Sequence, residues 1–507
     1  MENMDMWQLA AALAPIVWLI FSLVVLKLPA YRTCLFTLVG TWCLAVFGWW
    51  HMPVVSATTA ALEGAALALW PIMIVIVAAV FTYNLARHTG SMDVITKMLS
   101  SITTDRRLLV LIVAWGFGGF LEGVAGYGTA VAIPASILAA MGFQPLFAAV
   151  ICLVANTVPT AFGAIGIPIV TMAGVTGLPV ETISYYTALQ LFVFIILITY
   201  LLVILTAGFK GVKGVFWATL VSGLGFAIPQ LYTAKYMGAE LPCLIGSVCS
   251  MIATIVWARL FHRETAATGQ EPIPNAEKIK AWLPYMLVFA FIILCSNLFP
   301  VIKDALGAVK TTVKIHGDTP FTFKWIATPG VLIIFATYIG GMIQGVRVGE
   351  ITKVLGQTAA KLSLSAVTVV SIVALAKVMS ASGMINTIAI AVADSTSSYF
   401  PLISPLLGAL GTFVTGSDTS SNVLFGQLQM EVAHRINADS IWIVSASAAG
   451  ATAGKMISPQ SIAVATAATG LTGYEGRIMN RTLAVCVGYV IILGALVYGG
   501  IPFLHLL

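Results

Sequence analysis

The chain has 507 residues, of which 59% are apolar and only 9% carry a charge, with 25 basic against 19 acidic residues for a formal charge of +6. Soluble domains carry about 25% charged residues, so the composition excludes water as the main solvent, and no soluble segment is large enough to be catalytic. The surplus positive charge needs no nucleic acid to explain it, because the basic residues collect in loops, where they orient a membrane chain.

In chain order, apolar runs of roughly 20 residues, enough to cross a ~30 Å hydrocarbon layer, include 7–26, 65–83, 189–206, 285–300, 325–342 and 483–497. This predicts an all-α polytopic membrane protein. The first run is too long for a signal-peptide core and lacks both a basic flank and a small-residue cleavage pattern, so it reads as a retained first helix. The N-terminus before Trp7 has no Lys or Arg and is assigned outside; Lys27 and Arg32 put the next loop inside, and 51–55 lies outside. Arg87, Lys97, Arg106 and Arg107 mark a cytoplasmic loop, as do Lys210 with Lys213, then 259–280 and 347–361. One loop strains the rule: Lys303, Lys310, Lys314 and Lys324 fall outside by alternation, with only Asp304 and Asp318 to balance them. Seven cysteines stand singly in apolar segments without metal-ligand spacing, and the six histidines form no catalytic pairing.

Two segments match at a constant separation of 293 residues. Gly118-Gly-Phe-Leu-Glu-Gly123 pairs with Gly411-Thr-Phe-Val-Thr-Gly416, and Thr176-Gly-Leu178 pairs with Thr469-Gly-Leu471. The loop charges give the copies opposite polarity, as in transporters built from inverted repeats. The expected division is 1–107 for N-terminal helices, 108–182 for a first repeat core, 183–360 for connecting helices, 361–476 for a second core and 477–507 for a last helix.

Both copies are rich in helix breakers and small polar residues. The first holds Gly123 to Thr129, Asn156-Thr-Val-Pro159 and Gly163 to Pro168; the second holds Gly416-Ser-Asp-Thr-Ser-Ser-Asn422 and Gly454-Lys-Met-Ile-Ser-Pro-Gln-Ser461. Such tracts cannot face lipid, where each unsatisfied polar group costs several kcal/mol. They survive around a cavity, where half-helix N-termini offer N–H groups to a carboxylate. Tight packing through small residues explains the glycines, but not the 416–422 tract.

Four charges lie within the spans or their breaks: Glu122, Lys377, Asp418 and Lys455. Each needs a partner or water, since a charge at bilayer depth costs about 2.5–3.5 kcal/mol. Burial disfavours an ionised carboxyl, so Glu122 is a candidate proton carrier; its other role is to cap N–H groups at the first break. Asp418 binds a proton, organises the hydroxyls around it, pairs with Lys455, or caps the following helix. Lys455 meets a substrate carboxylate or pairs with Asp418. Lys377 meets substrate or a buried carboxylate, whereas Glu63, Asp394 and Glu431 read as interfacial.

The stretches 118–128, 155–168, 415–422 and 454–462 closely resemble the lactate permease family, and weaker similarity covers most of the chain. The resemblance implies proton-coupled uptake of L-lactate, D-lactate or glycolate across a bacterial inner membrane. It also implies about 12–14 helices, two inverted-topology repeats with broken helices or re-entrant hairpins, and no cofactor, metal or nucleic acid; it leaves room for a homodimer. The substrate-binding candidates are Lys455, Asn156, Thr157, Thr419, Ser420, Asn422, Ser458, Gln460, Lys377 and Tyr127, with Glu122 and Asp418 for the proton. Unwound carbonyls and hydroxyls also suit sodium as the coupled ion. Proteins resembling this one generally have an aromatic residue where Lys377 stands, so substrate size, charge or coupling could differ here.

Overall fold

The computed structural model describes residues 6–26, 28–126, 128–261, 273–295, 299–317, 321–471 and 474–506. Lys27, Tyr127, Asp318 and the middle of the 259–280 loop lie outside these residues. Ten helices among those described are long and apolar enough to cross a membrane, from Met6–Leu23 to Glu475–Leu504, and shorter apolar helices span Thr129–Ala140, Pro145–Ala155 and Pro329–Ile343. The first two helices bury only 28% of their apolar windows inside the protein. Large side chains such as Phe36 and Phe47 are left uncovered, as a lipid-facing surface requires.

Each of the matched segments folds into a hairpin followed by an interrupted helix. The first hairpin enters along Arg106–Val124 and returns along Thr129–Ala140. Its base is tied by the Arg106 guanidinium, which donates to the Gly142 carbonyl at 2.6 Å. Pro145–Ala155 then runs inward, breaks, and resumes as Gly163–Thr176. In the second copy, Phe400–Thr415 and Asp418–Arg435 form the hairpin, and Ser440–Lys455 resumes as Pro459–Thr469. Glycines 293 residues apart adopt the same left-handed turn: Gly90 and Gly383 at φ 71° and 92°, Gly177 and Gly470 at 75° and 70°. Only glycine takes this conformation without steric cost.

The helix Val180–Val212 fixes the relative direction of the copies. Its continuous helical run, 180–207, reaches about 42 Å before a kink at Gly208. Near its start, Ile183 accepts from the Ser445 hydroxyl, and Gln190 donates to the Trp442 carbonyl. Near its end, Gly211 accepts from the Arg107 guanidinium. The second interrupted helix therefore begins at the end of the molecule opposite the base of the first hairpin. The copies run antiparallel, and each hairpin's return arm packs on the other copy: Asn422 donates to the Pro168 carbonyl, and Ser136 to that of Ala468.

Two readings of the sequence are revised. The 65–83 run belongs to a longer helical stretch, Val54–His88, so Glu63 lies well inside a span rather than at its end. The lysine-rich 303–324 segment is not plain loop. It contains the helix Pro300–Gly307 and an antiparallel pair of strands, Lys310–Val313 with Phe321–Lys324.

Candidate functional site

Where the two hairpin tips meet the two interruptions, they enclose a cavity of about 70 Å³. A single water needs roughly 10–15 Å³, so the space exceeds a one-water hole. Its wall takes Glu122, Gly126 and Gly128 from the first hairpin, and Thr160, Gly163, Ala164 and Pro168 from the first interruption. Residues 416–419 come from the second hairpin, and Lys455, Gln460, Ser461 and Val464 from the second interruption.

Local chemistry explains why the chain breaks here. Pro159 and Pro168 remove backbone donors, and Ala164, Ile165 and Gly166 stand consecutively in left-handed conformation at φ 44°, 58° and 73°. For alanine and a β-branched isoleucine that is strain, which persists only where the surroundings enforce it. Part of the enforcement is visible at Gly166, where a Cβ would lie 2.1 Å from the Ala239 carbonyl oxygen. In the second copy, the Ser417 hydroxyl accepts from the Ser420 amide and the Ser458 hydroxyl from the Ser461 amide. Ser417, not Asp418, is therefore the N-cap of its helix.

Among the described residues, four helices begin at the cavity wall: Thr129–Ala140, the right-handed part of Gly163–Thr176 that starts after Gly166, Asp418–Arg435 and Pro459–Thr469. Their N-termini present partial positive charge toward the cavity. The opposing C-terminal end of Phe400–Thr415 is answered by Lys455, whose ammonium donates to the Gly416 carbonyl at 3.0 Å. Lys455 is half-buried and acts electrostatically on both Asp418 and Glu122. The two carboxyls are each 4% exposed. Asp418 faces the hydroxyls of Thr160 and Thr412; Glu122 neighbours Asn156, and its Oε1 rests where a Cβ on Gly163 would lie, 2.5 Å away. Anion-attracting backbone, one ammonium and two carboxyls thus share one small space.

Of the residues singled out in the sequence, Glu122, Asp418, Thr419, Lys455 and Gln460 line the cavity. Ser420 lies one residue beyond the wall, in the first turn of its helix, and Ser458 is buried in its capping role. Asn156 stands beside Glu122, behind the wall, while Thr157 is buried with its hydroxyl donating to Leu153. Asn422 anchors the second hairpin to the first interruption. Lys377 is not brought to this cavity: its helix, Ser363–Ser382, packs on Ala30–Phe47 and Val54–Leu67, and its ammonium meets Glu63 at 2.8 Å. Tyr127 lies outside the described residues. Thr160, Thr412 and Ser461 were not singled out.

A family model described as L-lactate permease matches residues 8–499. The L-lactate permease of Streptococcus iniae is 50% identical over 445 residues, covering 87% of this chain and 94% of that protein. The glycolate permease GlcA of Escherichia coli K12 is 36% identical, covering 96% of each. Among solved structures, MtrF of Neisseria gonorrhoeae, from a class of antimetabolite efflux pumps, superposes with a TM-score of 0.50 over 94% of this chain and 96% of that one. At 12% identity this likeness concerns the fold alone.

Proposed function

The chain belongs to the L-lactate permease family, and on that premise we propose that it takes up L-lactate and related small 2-hydroxy monocarboxylates, D-lactate and glycolate among them, each with a proton. It is a multi-pass protein of the bacterial inner membrane and a transporter rather than an enzyme. One observation carries the substrate and coupling reading: the carboxyls of Glu122 and Asp418, the ammonium of Lys455 and four helix N-termini share a single buried cavity.

The substrate carboxylate lies toward the N–H groups of Asp418, Thr419 and Gln460 and toward Lys455, while the Thr419 hydroxyl and the Gln460 side-chain amide take the 2-hydroxyl. Coupling follows from charge. Two unit charges about 4 Å apart interact by roughly 4 kcal/mol at an effective dielectric constant of 20. An anion entering beside two ionised carboxylates is repelled twice and attracted by an ammonium once; a proton on one carboxyl removes one repulsion. Anion and proton therefore favour each other's binding, and the pair crosses without net charge.

The helix ends favour one of the two carboxyls as the proton's site. Asp418 stands in the first turn of Asp418–Arg435, where the N-terminus favours negative charge. Glu122 stands near the C-terminal end of Gly118–Val124, where the backbone disfavours it. The proton is therefore assigned to Glu122.

Proteoliposomes loaded under an imposed pH gradient test this. The wild type accumulates labelled L-lactate, while Glu122→Gln exchanges lactate across the membrane without accumulating it. Full gradient-driven accumulation by Glu122→Gln would reject the assignment, and accumulation that follows sodium at fixed pH would reject proton coupling.

A further inference from the structure

A second and larger cavity, about 970 Å³, opens at the end of the molecule remote from Arg106 and Arg107. It is lined by the start of Val180–Val212, the turn at 237–240, the helix Pro300–Gly307 and the two-stranded hairpin. This is where three of the four lysines that contradict the loop-charge rule gather: Lys303, Lys310 and Lys324 all line it.

Strand register sharpens the anomaly. Lys310 and Lys324 are direct cross-strand partners. Like charges directly opposite each other destabilise a strand pair. Both side chains are exposed toward the cavity. The cavity also carries carboxyls, at Glu181, Glu240 and Asp304, and Lys303 acts across it on Glu240. Lys310 and Lys324 are arranged differently, standing opposite each other in the strand register. A charge pattern that opposes both membrane insertion rules and strand pairing is explained if an anion sits between the two ammonium groups.

The wall also connects the two cavities. Gly238 and Glu240 line the large one, while Ala239 between them touches Gly166 in the strained interruption that bounds the small one. The Gly238–Glu240 turn is thus a thin partition between the lysine pair and the site holding Glu122 and Lys455.

We propose that the Lys310–Lys324 pair is a second, outer binding site for small carboxylate anions, which holds the substrate in the large cavity before it passes the Gly238–Glu240 turn. This rests on the transport reading for its substrate class. The cavity as a whole balances three lysines with three carboxyls, so the attraction is local to the lysine pair; such attraction raises on-rates and is lost in salt. An outer site therefore lowers the half-saturating concentration without altering the maximal rate.

Two measurements on the full-length protein test it. In right-side-out vesicles at low ionic strength, Lys310→Gln/Lys324→Gln should raise KM for L-lactate about 3- to 10-fold with the maximal rate unchanged, and the gap should close in high salt. Lys310→Arg/Lys324→Arg should keep the wild-type KM. Lys314→Gln, which removes a nearby charge that does not line the cavity, should also keep it. An unchanged KM and salt dependence in the Gln pair, or a fall in maximal rate alone, would overturn the proposal.

Thermal melting of the purified protein needs no transport and separates this inference from the reading it rests on. At low salt without anion, the Gln pair should melt above the wild type because repulsion is relieved, and L-lactate or glycolate should raise the wild-type melting temperature by the larger increment. Equal melting and equal ligand increments would overturn the outer site. A wild type that transports no lactate while the melting differences stand would overturn the transport reading alone.

Discussion

The Lys377–Glu63 pair shows how a single charge in a span is tolerated. The ammonium and carboxylate meet at 2.8 Å, with side chains 23% and 14% exposed, so neither is fully desolvated. One residue on from Glu63, Gly64 lets the two helices close: a Cβ there would lie 2.5 Å from the Ala374 Cα. Breaking a buried ion pair by deleting one partner costs about 3–5 kcal/mol, whereas replacing both by apolar residues is often neutral. Partial exposure moves the expectation toward the lower figure. Lys377→Met should therefore lower the melting temperature clearly, and Lys377→Met/Glu63→Leu should recover most of the loss, with KM for L-lactate unchanged in the double variant. A rise in KM that the second substitution does not rescue would instead give Lys377 a part in substrate binding.

This residue also marks a boundary of what sequence discloses. A cation at mid-span demands a partner, and that much follows from electrostatics. Naming Glu63 required knowing that the 65–83 run is helical from Val54, which apolar periodicity did not reveal because 54–64 is rich in Ala, Ser and Thr. Glu122, Asp418 and Lys455 were legible as a group because each stands in or beside a tract that lipid cannot accept. Thr160 and Thr412 were not, because a threonine in a helix ordinarily satisfies itself by donating to the preceding turn.

At the scale of elements, the second hairpin is held to its interrupted helix by backbone contact through glycine. Cβ atoms added at Gly408, Gly450 and Gly454 would lie 2.0 Å from the Ser447 oxygen, 2.1 Å from the Pro405 oxygen and 2.1 Å from the Ala409 oxygen. The obstacles are backbone atoms, so they cannot swing aside. Small residues at helix crossings are a recurrent means of association in bilayers, where apolar burial between helices gives little drive. Gly450→Ala should therefore force apart Phe400–Thr415 and Ser440–Lys455 and sharply reduce the yield of folded protein. Gly488→Ala, at a position with open space around it in the last helix, should be silent. Detergent-solubilised yield and melting temperature compare the two; equal behaviour would remove this crossing from the framework of the site.

The breaks themselves were legible from clustered Gly, Pro, Ser and Thr, since those residues have few tolerable places at bilayer depth. The strand pair at 310–324 was not, although Thr311, Thr312 and Val313 favour extended backbone. Its lysines drew attention to loop charge instead, and the pairing that makes those lysines informative appears only in the register.

Across the whole molecule, antiparallel copies put equivalent breaks at one place and equivalent hairpin bases at opposite ends. That arrangement allows one site to face either side of a membrane in turn. The 293-residue offset disclosed the duplication. The antiparallel packing became visible through Val180–Val212, whose two ends contact different copies. The large outer cavity had no precursor in the sequence beyond misplaced positive charge, because its walls come from segments far apart in the chain.

Anion and proton are proposed to enter the small cavity together. Titration calorimetry of L-lactate into the purified protein, repeated in buffers of different ionisation enthalpy, measures proton uptake on binding without relying on transport. The expected result is one proton taken up per lactate bound by the wild type, and binding with no proton uptake in Glu122→Gln. Heats independent of buffer in the wild type would contradict it.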